Sequence, residues 1–264
     1  MRSLAVASVA VAAALAHRAP LVFTWPTSVD VVSKRSLLVV ANGSGKVLRV
    51  DPSTGRTTVL FRVPHAYSGA HIRGGGFYLS TGAALLRVDA AGNATTVATS
   101  KEDIGPVALA PNGDLYYSTE TQVFRVAGGS GTPTRLAGGL SGPHGIAVTA
   151  DGGLLVADTG HRRVDRIDLK TGHVELWRKV GNPRGIGVAG DGTVYVVDAG
   201  IHRVLHLMAD GRSLASPKHV FGDPYALSVA ADGSVYVVDT SVSGRLYRIA
   251  PNGATTPVSR PAGD

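Results

Sequence analysis

The sequence predicts an all-β fold made from one repeated unit, and three observations carry that reading. The stretch PHGIAVTADGGLLVADTGHRRVDRID, starting at Pro143, returns as PRGIGVAGDGTVYVVDAGIHRVLHL from Pro183 and as PYALSVAADGSVYVVDTSVSGRLYRI from Pro224. These prolines stand 40 and 41 residues apart, a period that means an array of similar units. The second observation is composition: 34 Gly and 14 Pro in 264 residues supply many turns, and no long helical period is present. The third is that each copy splits into short β-branched runs separated by turn clusters.

The copy from Pro143 shows the unit best. Gly145 to Val148 is a run of small and β-branched residues, suited to a tightly packed strand. Asp151-Gly152 is a hairpin signal, because both residues tolerate positive φ. Leu154 to Ala157 is the second strand, and Asp158-Thr159-Gly160 closes it. A third strand runs from Val164 to Leu169, Lys170-Thr171-Gly172 turns the chain, and Val174 to Val180 is the fourth. Four antiparallel strands in about 40 residues make a propeller blade. Three good copies and three degraded ones predict a single six-bladed β-propeller. The blades fall at 26–63, 64–101, 102–142, 143–182, 183–223 and 224–260.

The degraded blades are read against this template. In blade one, Asn42-Gly43 replaces the Asp-Thr-Gly turn. Blade two runs from its first strand, Gly69 to Arg73, through Gly74-Gly75-Gly76. Blade three opens near Gly105-Pro106, with Val107 expected to enter the first strand and Asn112-Gly113 as the hairpin turn. Pro133, Pro217 and Pro257 fall in fourth strands, which places those strands at the sheet edge. Leu21 to Trp25 reads as an outermost strand set ahead of its blade. It is expected to pair into the last blade and close the ring, a place that Ala254 to Arg260 could also fill.

The N-terminus reads differently. Met1-Arg2-Ser3 is short and basic, Leu4 to Leu15 is an apolar run of twelve, and Ala14-Leu15-Ala16 fits a small-x-small cleavage site. Residues 1–16, or as far as 19, are expected to be a secretory signal, with the propeller over 20–264 and a secreted or extracytoplasmic address. The sequence holds no Cys, so neither a lipid anchor on cysteine nor disulfide support is expected. The net charge of +7 is scattered through turns, without the basic runs and interleaved aromatics of a nucleic-acid binder.

These copies resemble the NHL repeat family of β-propellers through the P-x-G-I-x-V opening, the Asp-Gly turn, the V-x-D-[TA]-G end of strand two and the Arg that follows. The resemblance implies framework roles for Asp158, Asp198 and Asp239, and for Arg163, Arg203 and Arg245. An Asp in this place can accept hydrogen bonds from turn amides and pair with Arg. Blade three departs from the pattern, with Thr119 for the Asp and Gln122 for the Arg.

Chemistry in such a fold belongs where the chain enters each first strand, because the blades frame those loops rigidly. The candidate ligand-binding residues there are Tyr67, His144, Arg184 and Tyr225, with His71 inside the first strand of blade two. Arg184 could grip a carboxylate or phosphate, and His144 is the one catalytic candidate. The expected partner is a protein, a peptide or an anionic envelope ligand, bound without catalysis and without a cofactor. The enzyme alternative stays open: a metal-dependent lactonase, hydrolase or lyase of gluconolactonase-like or streptogramin-lyase-like type at the channel mouth, with a divalent metal such as Ca, Zn or Mg. Gly142-Pro143-His144-Gly145 is similar to the G-P-N-G opening of gluconolactonases, but His stands in place of the metal-binding Asn, and Asp30 is the only acid near a first strand. For zinc, His144 and His71 form the plausible pair where three protein ligands are normally needed, and His65 could be a third, although its spacing does not require it.

Overall fold

The computed structural model describes residues 21–214, 218–241 and 244–258. The predicted signal segment lies outside them. The described chain forms six antiparallel sheets in sequence order. Blade one holds β1 (Pro26–Ser33), β2 (Ser36–Ala41), β3 (Lys46–Val50) and β4 (Thr57–Arg62). Blade two holds β5 (Ala66–His71), β6 (Phe77–Thr81), β7 (Ala84–Val88) and β8 (Ala94–Thr99). Blade three holds β9 (Val107–Leu109), β10 (Leu115–Ser118), β11 (Gln122–Val126) and β12 (Thr134–Gly138). Blade four holds β13 (Pro143–Val148), β14 (Gly153–Asp158), β15 (Arg163–Asp168) and β16 (Val174–Lys179). Blade five shows β17 (Pro183–Val188), β18 (Val194–Asp198) and β19 (Arg203–Leu207), with Ser213 bridging Leu207 on the outer side. Blade six holds β20 (Pro224–Val229), β21 (Val235–Asp239), β22 (Arg245–Ile249) and β23 (Thr255–Pro257).

The strand sequences follow from where each strand sits. Second strands are covered on both faces by neighbouring blades, so β14 reads GLLVAD and is buried throughout. Fourth strands face solvent and turn polar: β4 is TTVLFR, with no fully buried residue. The apolar side chains form six clusters, each lying mainly between two adjacent blades. One cluster joins Tyr236, Val238 and Leu246 of blade six to Val29, Leu37 and Val39 of blade one, and this seals the ring.

Both ends of the described chain take part in the closure. β23 pairs with β22 at Tyr247 to Ile249, and Val22 bridges Arg245 further along the same strand. Leu21 donates its amide to the Val258 carbonyl at 3.0 Å, and Phe23 donates to Gly244 at 2.8 Å. The two segments that compete for this place in the sequence therefore share it.

Candidate functional site

Five of the six first strands carry a register shift near their start. It falls between Pro26 and Ser28, Ala66 and Ser68, Pro143 and Gly145, Pro183 and Ile186, and Pro224 and Ala226. A bulge re-aims the side chain it contains. The residues inside these shifts include Thr27, Tyr67, His144, Arg184 and Tyr225. They form a ring at the mouth of the channel where the first strands begin, which we call the entry face. Behind it runs a central channel of about 670 Å³, walled by small residues such as Gly69, Ala70, Ala108, Gly145, Ala147 and Gly187.

The ring side chains bind one another. The Tyr67 and Tyr225 hydroxyls are 2.9 Å apart, and their rings meet edge to face. His144 packs edge-on against Tyr225, with ring centres 5.9 Å apart. The Arg184 guanidinium lies 5.1 Å from the centre of the Tyr225 ring and pairs with Asp223 at 2.7 Å. Thr27 Oγ1 donates to the Tyr67 carbonyl at 2.7 Å. Burial pushes the Tyr67 hydroxyl pKa well up, and burial also raises that of Tyr225, so both stay neutral.

His144 has a defined tautomer. Its Nδ1 lies 2.9 Å from the Gly142 carbonyl and 2.9 Å from Thr159 Oγ1. A carbonyl only accepts, so Nδ1 carries the proton. Thr159 spends its own hydroxyl proton on the Pro183 carbonyl at 2.6 Å. Burial pulls the His144 pKa down, the Gly142 carbonyl opposes this, and the Arg184 charge adds to the fall. The imidazole is thus neutral at pH 7, with Nε2 as its basic nitrogen.

Blade three breaks the ring. In each blade the ring residue stands seven positions before the first residue of the hairpin turn: His144 before Asp151, Arg184 before Asp191, Tyr225 before Asp232. In blade three that count from Asn112 gives Gly105, not Val107. The hydrogen bonds agree. Val107 donates its amide to Ser68 Oγ at 3.2 Å, as Gly69 does to Ser28 Oγ at 3.3 Å, so Val107 matches Gly69 and lies two places past the ring. The expectation that Val107 enters the mouth is corrected: the position holds no side chain.

A side pocket of about 340 Å³ opens at this gap, lined among others by Tyr67, Gly105 and His144 and by Asn42, His65, Asp103, Thr119 and Glu120. Asn42 is fixed there because its Nδ2 donates to the Ala66 carbonyl at 2.8 Å. Nothing in the motif pattern points to Asp103 or Glu120. Only the count back from Asn112 exposes the gap they surround.

His71 is not part of this constellation. It ends β5, four residues beyond Tyr67, which at about 3.3 Å per residue puts it roughly 13 Å down the channel. There its Nδ1 pairs with Asp30 at 2.7 Å, and the Asp30 contact raises its pKa while burial and Arg73 oppose the rise. The His71–His144 pair considered for zinc is therefore split between the two mouths. Asp30, on β1, is engaged at the far mouth too. Among the described residues no three His, Asp or Glu side chains converge on a metal-sized site.

The expected framework positions lie outside the ring. Asp198 accepts the amides of Gly181, Asn182 and Gly200, and Asp239 those of Gly222, Asp223 and Ser241. Asp158 accepts the Ser141 amide and pairs with His161 at 2.7 Å. Arg163, Arg203 and Arg245 stand opposite these acids in the β ladder. Among the described residues, Arg163 alone closes an ion pair with its Asp, at 3.7 Å, and it also binds Asp165 at 2.9 Å.

Comparison with known proteins agrees with this fold. Residues 140–164 match the NHL repeat, the stretch that carries His144, Asp158 and Arg163. No curated protein matches the sequence. Among solved structures, a gluconolactonase from Xanthomonas campestris is 18% identical, with 86% of this chain and 90% of that one covered and a TM-score of 0.72. A calcium-binding regucalcin from Agrobacterium tumefaciens is 16% identical over 91% of this chain and 93% of that one, with a TM-score of 0.72. A catalytically inactive His-to-Ala form of virginiamycin B lyase from Staphylococcus aureus, solved with quinupristin, is 14% identical over 94% and 88%, with a TM-score of 0.69. At these identities the likeness is one of fold. The chain is a six-bladed β-propeller, and residues 140–164 in blade four match the NHL repeat.

Proposed function

We propose that this protein is an exported recognition propeller whose entry face binds a polar group of a protein, peptide or envelope partner. The gap at Gly105 carries the reading. The other ring residues engage one another, whereas the gap leads to a polar pocket walled by Tyr67 and His144. Function in a propeller belongs on loops held by rigid blades, and this pocket is made of such loops. The ion pair of Arg184 with Asp223 meets much of the charge that pointed to an anion, so the gap and not Arg184 is the centre of the proposed contact.

The test is an NMR screen of peptide and glycan fragments on the full-length chain, repeated with His144→Ala and, as a control at the far mouth, His71→Ala. Hits that shift entry-face amides, and weaken with the first variant only, are expected. Hits confined to the far mouth would remove the reading. Export is checked by sequencing the N-terminus of the protein recovered outside the cell; an intact Met1 there, or no protein at all, argues against cleavage.

One observation favours a second reading, a hydrolase or lyase. His144 is neutral, oriented through Nδ1 and placed at the mouth, which suits Nε2 to take a proton from a substrate. The loss of catalysis on replacing one His of virginiamycin B lyase is consistent with such a role in a propeller of this fold. Turnover of a lactone or cyclic depsipeptide that disappears in His144→Ala would move this reading ahead.

A further inference from the structure

The pocket beside Gly105 has a chemistry of its own, and a ligand assigned to it rests on the entry-face reading. Its charged lining residues besides histidine are Asp103 and Glu120, and neither Lys nor Arg lines it. That is unusual on a chain of net charge +7. Its aromatic walls are His65, Tyr67 and His144. A side-chain carbon on Gly82 would lie 3.6 Å from Asp103 Oδ1 and 4.0 Å from His65 Cβ, so the carboxylate and the His65 side chain border the same spot. His65 is held with φ at 57°, a left-handed conformation that non-glycine residues rarely adopt.

A second, independent observation comes from the pocket floor. Thr119 is 4% exposed and lines the pocket, and its Oγ1 has no hydrogen-bond partner among the described residues. A buried hydroxyl without a partner is a standing cost that a ligand can remove. Asn42 spends its Nδ2 on Ala66, which leaves its amide oxygen as an acceptor. The pocket therefore offers acceptors, carboxylates and ring faces. An ammonium group is the complement: three donors, no acceptor, and a charge that aromatic faces attract. His144, kept neutral by burial, does not repel it.

We propose that this pocket binds a primary ammonium group carried on an alkyl or sugar frame. A lysyl side chain and an amino sugar share that chemistry. The probes are Nα-acetyl-lysine amide and glucosamine, set against their uncharged counterparts Nα-acetyl-norleucine amide and glucose, with calcium chloride as the inorganic cation. Each is titrated into the labelled full-length chain and followed by NMR. The expected result is that the ammonium probes shift the amides of Asp103, Thr119 and Glu120, while the uncharged probes at equal concentration do not. The stronger of the two ammonium probes names the source. An Asp103→Asn, Glu120→Gln double variant, altered only at exposed side chains, should keep its Tm and bind about tenfold more weakly.

Equal shifts from norleucine amide and lysine amide would overturn the inference. So would shifts of these amides by calcium alone, or affinity unchanged in the double variant. If other fragments move entry-face amides while both ammonium probes fail, the ammonium assignment falls and the recognition reading stands. If no probe or fragment moves the entry face, both fall.

Discussion

In blades four, five and six a buried carboxylate ends the second strand and gathers amides from the turn beside it. In blades one, two and three the same place holds Ala41, Thr81 and Thr119. The welds between blades differ as well. Ser28 and Ser68 accept amides of the next blade, at 3.3 and 3.2 Å. At the matching position blades four and five carry Gly145 and Gly185, whose backbones lie directly against the neighbouring strand. The regular half uses close backbone packing and satisfied carboxylates. The irregular half gives these up and holds most of the side pocket and the unpartnered Thr119 hydroxyl. Local stability and an available surface are drawn from opposite sides of one ring.

Four tests can break or sharpen this contrast. The largest effect is expected at Gly185, where a Cβ would lie 2.6 Å from the Cα of Ala226. Gly185→Ser should cost about 3 kcal/mol or prevent folding, whereas Ser68→Gly should cost about 1 kcal/mol. Similar losses by chemical denaturation would mean that the two welds are equivalent. Next comes Asp239→Ala, which strands three amides and should cost about 3 kcal/mol, against less than about 0.5 kcal/mol for Thr119→Ala. A large loss at Thr119 would show that its hydroxyl is satisfied in solution and would remove one support of the pocket.

The third concerns pH. Burial pushes the Asp165 pKa up to about 6, with Arg163 pulling it down and Asp158 adding to the rise. A carboxyl raised above its ordinary value is bound more tightly to its proton in the folded state. Its contribution is complete below the ordinary value of 3.8 and is lost as pH rises through about 6. Tm should therefore carry a falling component between pH 4 and 7 that Asp165→Asn removes. Equal pH slopes for the two proteins would discard the assignment. Asp239 moves the other way: burial would raise its pKa, but the Ser241 and turn-amide bonds outweigh this, so its contribution fades only in acid, below 3.8. The smallest effect is expected for His65→Asn. Asn tolerates the left-handed backbone, so stability should rise by about 0.5 kcal/mol while the pocket loses an aromatic wall.

The blade count and strand order were legible because apolar runs and Asp-Gly turns report local backbone needs. The ring was legible for four blades, since Tyr67, His144, Arg184 and Tyr225 follow an Ala or Pro at a fixed place; Thr27 stands after Pro26 in the same way. Blade three misled because Gly105-Pro106 imitates Gly142-Pro143, and anchoring on the proline shifts the strand by two residues. Counting back from Asn112 removes the error. The carboxylates around the pocket were not legible, because Asp103 and Glu120 sit in loops whose mutual approach depends on three blades packing together. The separation of His71 from His144 was implicit in strand length, since a first strand of six residues spans the channel from one mouth towards the other.

The seam in blade six bears on how the ring assembles. Val22 and Arg245 meet across nearly the whole length of the chain, and Leu21 meets Val258. Contacts of such long sequence separation are slow to form. A chain emerging from the ribosome can build blades one to five in order, yet the interface between blades six and one must wait until the final strands arrive. Until then Val29, Leu37 and Val39 on blade one lack their blade-six partners Tyr236, Val238 and Leu246, and the nascent protein presents an open apolar flank.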